Sequence, residues 1–263
     1  MTKIHGHFNM TENAILEGLR RKERQCGFRV LLAVESGSRA WGFASPDSDY
    51  DVRFIYVYPR DAYLKMKEPE DALAWFDDGD LDYSGWELRK ALRLFAGCNL
   101  SMNEHLGSPI VYEADAEFLA ELKGLIPRYF REVRAIYHYL GVAANFTRPL
   151  LDGEEVGIKK MFYILRPVMA AQWVARHGSM PPTEFARLLE DAELSREVRS
   201  EIERLQEEKT RAAEREMTRP GEILRDWVRE SLDRLEADAK KIGKREPAGW
   251  EPLDELFMKV IGE

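Results

Sequence analysis

Only two cysteines, Cys26 and Cys98, and five histidines occur in 263 residues. A disulfide framework and a cysteine-rich zinc centre are thereby excluded as organising features, and a reducing compartment is implied. Long apolar runs are missing too. No stretch approaches the roughly 18 apolar residues of a membrane span, and the opening MTKIHGHFNMTENAILEGLRRKE has no signal-peptide core. A cytoplasmic protein with no membrane partner is the expectation. Basic charge is not in surplus either: 39 Lys and Arg stand against 47 Asp and Glu, a formal charge of −8. Coating nucleic acid nonspecifically needs an excess of cations, so that role is excluded, although a local basic groove is not.

What is present is an ordinary globular composition, 44% hydrophobic and 33% charged, long enough for one large domain or two modest ones. Apolar spacing over Thr11–Arg24 predicts a helix. The runs Phe28–Val34 and Asp51–Tyr58 predict strands. Ala72–Phe76 and Asp80–Gly85 flank a DDG turn signal and predict a hairpin, followed by a helix over Trp86–Ala96. From about Tyr112 the pattern turns helical, over Glu117–Tyr139, Gly157–His177, Pro182–Asp191, Ser195–Met217 and Pro220–Ile242. Pro167 is expected to kink or restart its helix. The fold class is α+β: a mixed-sheet domain over residues 1–111, then a helical bundle over 112–263.

The segment GSRAWGFASPDSDYDVRFIYVY, residues 37–58, carries the chemistry. Asp49 and Asp51 enter the second strand with one residue between them, so alternation turns both carboxylates the same way. Carboxylates held side by side repel unless a cation or a shared proton compensates. Oxygen-only ligands favour Mg²⁺ or Mn²⁺, completed by substrate phosphate oxygens. Gly37 lets the backbone approach a ligand, and Ser38 adds a hydroxyl where a helix opens. Arg39 is a further candidate for phosphate, though a surface arginine explains it as well. Asp82, in GDLDYSGWEL, is the choice for a third acid because a strand position there would otherwise be apolar. Asp80 shares its face but sits nearer the turn, where a turn aspartate suffices.

Strand, Gly-Ser, ten intervening residues, Asp-x-Asp and strand together resemble the signature of the DNA polymerase β-like nucleotidyltransferase superfamily. More narrowly, ESGSRAWGFASPDSDYDVRFIYV, SGWELRKALRL, SPIVY and KKMFYILRPVMAAQWVARHGSMPPTEF resemble the RNA repair pathway polymerase-β family, also called YcgL-like. The resemblance implies a minimal nucleotidyltransferase palm and an NTP–Mg²⁺ substrate, ATP being the expected nucleotide. It implies Asp49 and Asp51 as metal ligands, Gly37 and Ser38 at the triphosphate, and Asp82 as third ligand. His105, in NEHLGSP, stands where the family pattern has tryptophan.

In the helical half, Lys159, Tyr163 and Arg166 fall at i, i+4 and i+7 and share one helical face. With Lys160 they are candidates to meet phosphate and base; a solvated amphipathic helix is the structural alternative. Arg89, Lys90 and Arg93, close to Asp82 in sequence, are candidates to track an RNA backbone, an exposed helix face being the other explanation. His5 and His7 imitate a metal pair in a terminal segment. The resemblance implies an RNA end, such as that of a damaged tRNA, as acceptor. A small molecule or protein acceptor, and a non-catalytic nucleotide sensor, are the competing expectations.

Overall fold

The computed structural model describes residues 10–45, 48–77, 80–211, 216–243, 245–246 and 248–262; His5 and His7 lie outside them. The chain opens with α1 (Met10–Cys26), β1 (Arg29–Glu35), α2 (Gly37–Trp41), β2 (Tyr50–Val57) and α3 (Arg60–Tyr63). It continues with β3 (Ala72–Asp77), β4 (Leu81–Glu87), α4 (Leu88–Ala96), α5 (Leu100–Leu106) and β5 (Val111–Ala114). Then come α6 (Ala116–Gly124), α7 (Ile126–Tyr129), α8 (Glu132–Leu151), β6 (Val156–Gly157) and α9 (Ile158–His177). The remainder is α10 (Phe185–Asp191), α11 (Arg196–Arg211), β7 (Met217–Thr218), α12 (Glu222–Lys241) and α13 (Glu251–Gly262).

The fold is α+β, a five-stranded mixed sheet followed by helices. Strand order is β3-β4-β2-β1-β5. β2 and β4 run parallel and the other pairs antiparallel. Six of the seven residues of β1 are buried, as expected of a central strand covered on both faces. Val52, Phe54 and Tyr56 of β2 join Leu81 and Tyr83 of β4 under α1, whose Ile15, Leu16 and Leu19 are buried against them. The odd-numbered Ile55 and Val57 face the other way, into a core with Leu88, Leu92 and Phe95 of α4 and Leu253, Leu256 and Val260 of α13. Alternation therefore puts Asp51 and Arg53 on the α4 side of the sheet, along with Asp82 and Ser84 of β4.

The expected single helix over Glu117–Tyr139 is divided into α6, α7 and α8. Asp115 caps α6 by accepting from Phe118 N, and α8 starts afresh at Glu132. α9, in contrast, runs unbroken through Pro167. Proline removes one backbone donor, but packing all along this buried helix keeps it continuous.

The chain forms two compact units. One takes in Met1–Ala40, Asp49–Tyr129 and Pro247–Glu263; the other takes in Trp41–Ser48 and Phe130–Glu246. The second is built on α8, α9 and α12, with Gln172 Nε2 donating to Ser231 Oγ at 3.1 Å across α9 and α12. The segment Trp41–Ser48 belongs to it: the Phe43 ring lies tilted against Phe162 and edge-on to Phe185, at 4.7 and 5.7 Å between ring centroids. Buried Lys209 donates to the Phe43 carbonyl at 3.0 Å.

Candidate active site

Parallel pairing of β2 with β4 puts Asp51 directly opposite Asp82. Both side chains are partly exposed, 31% and 25%. Asp80 differs: its φ is +64°, it sits in the turn, and its carbonyl accepts from Tyr50 N at 2.9 Å. Asp49 precedes β2 and is exposed. The strand begins at Tyr50, so Asp49 is a loop residue at the strand entrance.

The turn after β1 is tied to this pair. Gly37 adopts φ +60°, and a Cβ on it would lie 2.2 Å from Asp51 Oδ2. Ser36 N donates to the Asp51 carbonyl at 2.9 Å, and Asp51 N donates to Glu35 Oε1 at 2.8 Å. The other oxygen of Glu35 accepts from the Tyr112 hydroxyl. Glu35 is fully buried; burial pushes its carboxyl above the usual range, against the lowering effect of the two hydrogen bonds. The Tyr112 phenol is pushed up by burial and by that carboxylate, so the proton stays on the tyrosine. Ser38 lies within α2, and Arg39 Nε donates to the Asp49 carbonyl at 3.1 Å while its guanidinium covers the Tyr50 ring at 3.7 Å.

Between the two aspartates lies a cation that reading the sequence missed. Arg53 Nη2 donates to Asp51 Oδ1 at 2.7 Å and to Asp82 Oδ2 at 2.8 Å. Its Nη1 donates to the carbonyls of Val52 and Asp82 at 3.2 and 3.1 Å. The signal was available: in DYDVR, Arg53 has the same strand parity as Asp51. Glu35 carried a weaker signal, a lone acid ending an apolar strand one residue before Ser36-Gly37.

The α9 candidates belong to the helical unit. Arg166 is 3% exposed, lies over the Trp41 ring at 4.6 Å and donates to the Thr183 carbonyl at 3.3 Å. Tyr163 packs on Trp41 and Phe146. Lys159 is half-buried and Lys160 exposed at the start of the helix. The basic residues of α4 stand away from Asp82. β4 rises about 3.3 Å per residue, so the six residues from Asp82 to Leu88 span about 20 Å. There Lys90 pairs with Asp71 at 3.0 Å and Arg89 covers Tyr63 and Phe257. His105 stacks on Trp86, with 5.1 Å between centroids, and burial lowers its pKa to about 4. It is a neutral packing residue at neutral pH.

Residues 11–259 match the RNA repair pathway DNA polymerase beta family. The chain belongs to that family. It is 37% identical over 249 residues to the uncharacterized protein YcgL of Bacillus subtilis (strain 168), covering 95% of this chain and 96% of that protein. Among solved structures, a nucleotidyltransferase-like protein from Exiguobacterium sibiricum 255-15 aligns over 95% of this chain and 79% of its own, at 14% identity and a TM-score of 0.30.

Polymerase-β-type chemistry calls for a divalent metal, and the donors can be tested for fit. Among the described residues no three His, Cys, Asp or Glu side chains converge closely enough to hold an ion by themselves. Asp51 and Asp82 nevertheless form an all-oxygen pair in register, beside a turn that a Cβ would fill. Mg²⁺ commonly uses one or two carboxylates and takes its remaining ligands from phosphate and water. The pair fits that habit. Among the described residues no helix is long and apolar enough to cross a membrane.

Proposed function

We propose that the protein transfers a nucleoside monophosphate from an NTP to the 3′ hydroxyl of an RNA, releasing pyrophosphate. The observation that carries this reading is the Asp51–Asp82 pair, set in register beside the left-handed Gly37 turn. Family membership supports the reaction class and the RNA repair setting. ATP is the proposed nucleotide and Mg²⁺ or Mn²⁺ the metal.

In this reading the triphosphate lies against Gly37 and Ser38, where the missing side chain at 37 lets phosphate oxygens approach the backbone. Asp49 and Asp51 would hold the metal, with Asp82 as a further ligand. When bound, the metal offsets the negative charge of the phosphates. Asp82 accepts the proton of the acceptor hydroxyl, whose oxygen forms a bond to the α-phosphorus as the bond from that phosphorus to the bridging oxygen breaks. Pyrophosphate carries away the electron pair. The protein's contribution is alignment and charge. Arg39 is proposed to contact the nucleotide.

A second reading, NTP binding without transfer, is favoured by Arg53, which already neutralises part of the charge on the two acids. The deciding experiment supplies α-labelled NTPs with Mg²⁺ or Mn²⁺ to tRNA with trimmed 3′ ends, total RNA, and no acceptor. Label on RNA that falls at least a hundredfold in Asp51→Asn supports transfer to RNA. Mutant-sensitive label on protein or small molecules refutes the RNA acceptor. NTP binding with no label anywhere supports the second reading.

A further inference from the structure

We propose that Arg53 sets the order in which the site fills: it partly neutralises Asp51 and Asp82 until a nucleotide arrives, so that the divalent metal is taken up as the NTP complex and not ahead of it. This rests on the nucleotidyltransferase reading of the site. Two carboxylates side by side on adjacent parallel strands would, left alone, bind a divalent cation on their own account or take up a proton. Here they are already served. Nη2 of Arg53 reaches Asp51 Oδ1 at 2.7 Å and Asp82 Oδ2 at 2.8 Å, and Nη1 is held by two backbone carbonyls of the same strands. Four hydrogen bonds fix the guanidinium as part of the sheet surface. Its side chain is 21% exposed, so solvent screens these charges only in part. The guanidinium offsets one of the two charges of this pair, which weakens its attraction for a bare divalent ion.

The same geometry leaves an approach for a metal carried by phosphate. Arg53 takes one oxygen from each acid. Asp51 Oδ2 is on the Gly37 side, 2.2 Å from where a Cβ at that position would stand. A triphosphate seated at the turn thus brings its cation to the Gly37 side of Asp51. Arg53 is therefore a positioning residue: it orients both carboxylates and lowers their affinity for metal alone.

The test is Mn²⁺ binding to the full chain, by electron paramagnetic resonance, with and without an α,β-methylene ATP analogue. Mn²⁺ held by the analogue itself is subtracted. Wild type is expected to bind Mn²⁺ at least tenfold more tightly when the analogue is present. Arg53→Met, checked for folding by circular dichroism, should bind Mn²⁺ without nucleotide at least tenfold more tightly than wild type. Arg53→Lys, which keeps the charge, should stay within threefold of wild type. A purely structural arginine would leave nucleotide-free Mn²⁺ affinity unchanged or weaken it, and either result overturns the proposal. The wild-type comparison decides by itself if Arg53→Met does not fold: equal affinity with and without the analogue overturns it. A chain that transfers label yet binds Mn²⁺ independently of nucleotide overturns the role of Arg53 alone. One that binds no Mn²⁺ even with the analogue overturns the reading of the site as well.

Discussion

A side chain at position 37 would meet two obstacles at once. The backbone there is left-handed, at φ +60°, a conformation that costs a non-glycine residue about 1–2 kcal/mol. Its Cβ would also stand 2.2 Å from Asp51 Oδ2, so Asp51 would have to leave its place between Glu35, Arg53 and the turn. Gly37→Ala is expected to lower stability by about 2 kcal/mol. Label transfer should fall by more than a hundredfold, a larger loss than the stability change explains. Thermal denaturation and the transfer assay together check this, and a variant with near-normal transfer would remove the turn from the site. At this scale alternation put Asp49 and Asp51 on one face, and the unexpected acid in a strand singled out Asp82 over the turn residue Asp80; in the fold Asp82 stands opposite Asp51 and Asp80 lies in the turn. The sequence was not readable where a long-range contact decides. Arg53 shares the strand parity of Asp51, but its other partner, Asp82, lies 29 positions away. Glu35 needs Tyr112, 77 positions on, to account for its burial.

Elements repeat the lesson with different physics. The strands and the hairpin were legible because β-branched and aromatic runs between turn residues have few other uses. α9 was legible as a helix but not in its orientation: a stripe of Lys159, Tyr163 and Arg166 suggests a polar face, whereas most of the helix is buried. Arginine can bury its stem and lay its guanidinium on an aromatic ring, as Arg166 does on Trp41, so helical spacing alone misjudges where it lies. That placement makes a distinguishing prediction. Arg166→Ala removes a packed side chain from the helical unit and is expected to cost about 3 kcal/mol in urea denaturation. If stability changes by less than about 0.5 kcal/mol while NTP affinity collapses, Arg166 is a nucleotide contact and not a packing residue.

Across the whole molecule the two compact units are not two stretches of chain. The sheet unit contains α13, the last helix, and the helical unit contains Trp41–Ser48, which the chain visits between the Gly37 turn and Asp49. A division at residue 111 follows the change from strand to helix patterning, which composition can reveal. It cannot reveal that one helix of the second half completes the first unit, since amphipathic helices carry no label for the surface they cover. Leu253, Leu256 and Val260 of α13 are 2%, 3% and 6% exposed, packed with α4 and β2 residues in the core on the acid-bearing side of the sheet. Burying each contributes about 2 kcal/mol. Deleting 247–263 therefore removes an amount comparable with the entire stability of a domain, about 5–15 kcal/mol. The truncated chain is expected to lose cooperative unfolding of the sheet unit, and with it all transfer, although every proposed catalytic residue remains. Hydrogen exchange provides the measurement: amides of β1 and β2 should lose protection while those of α8 and α9 keep theirs. Full protection of β1 and β2 in the truncated chain would mean that α13 is dispensable to the sheet.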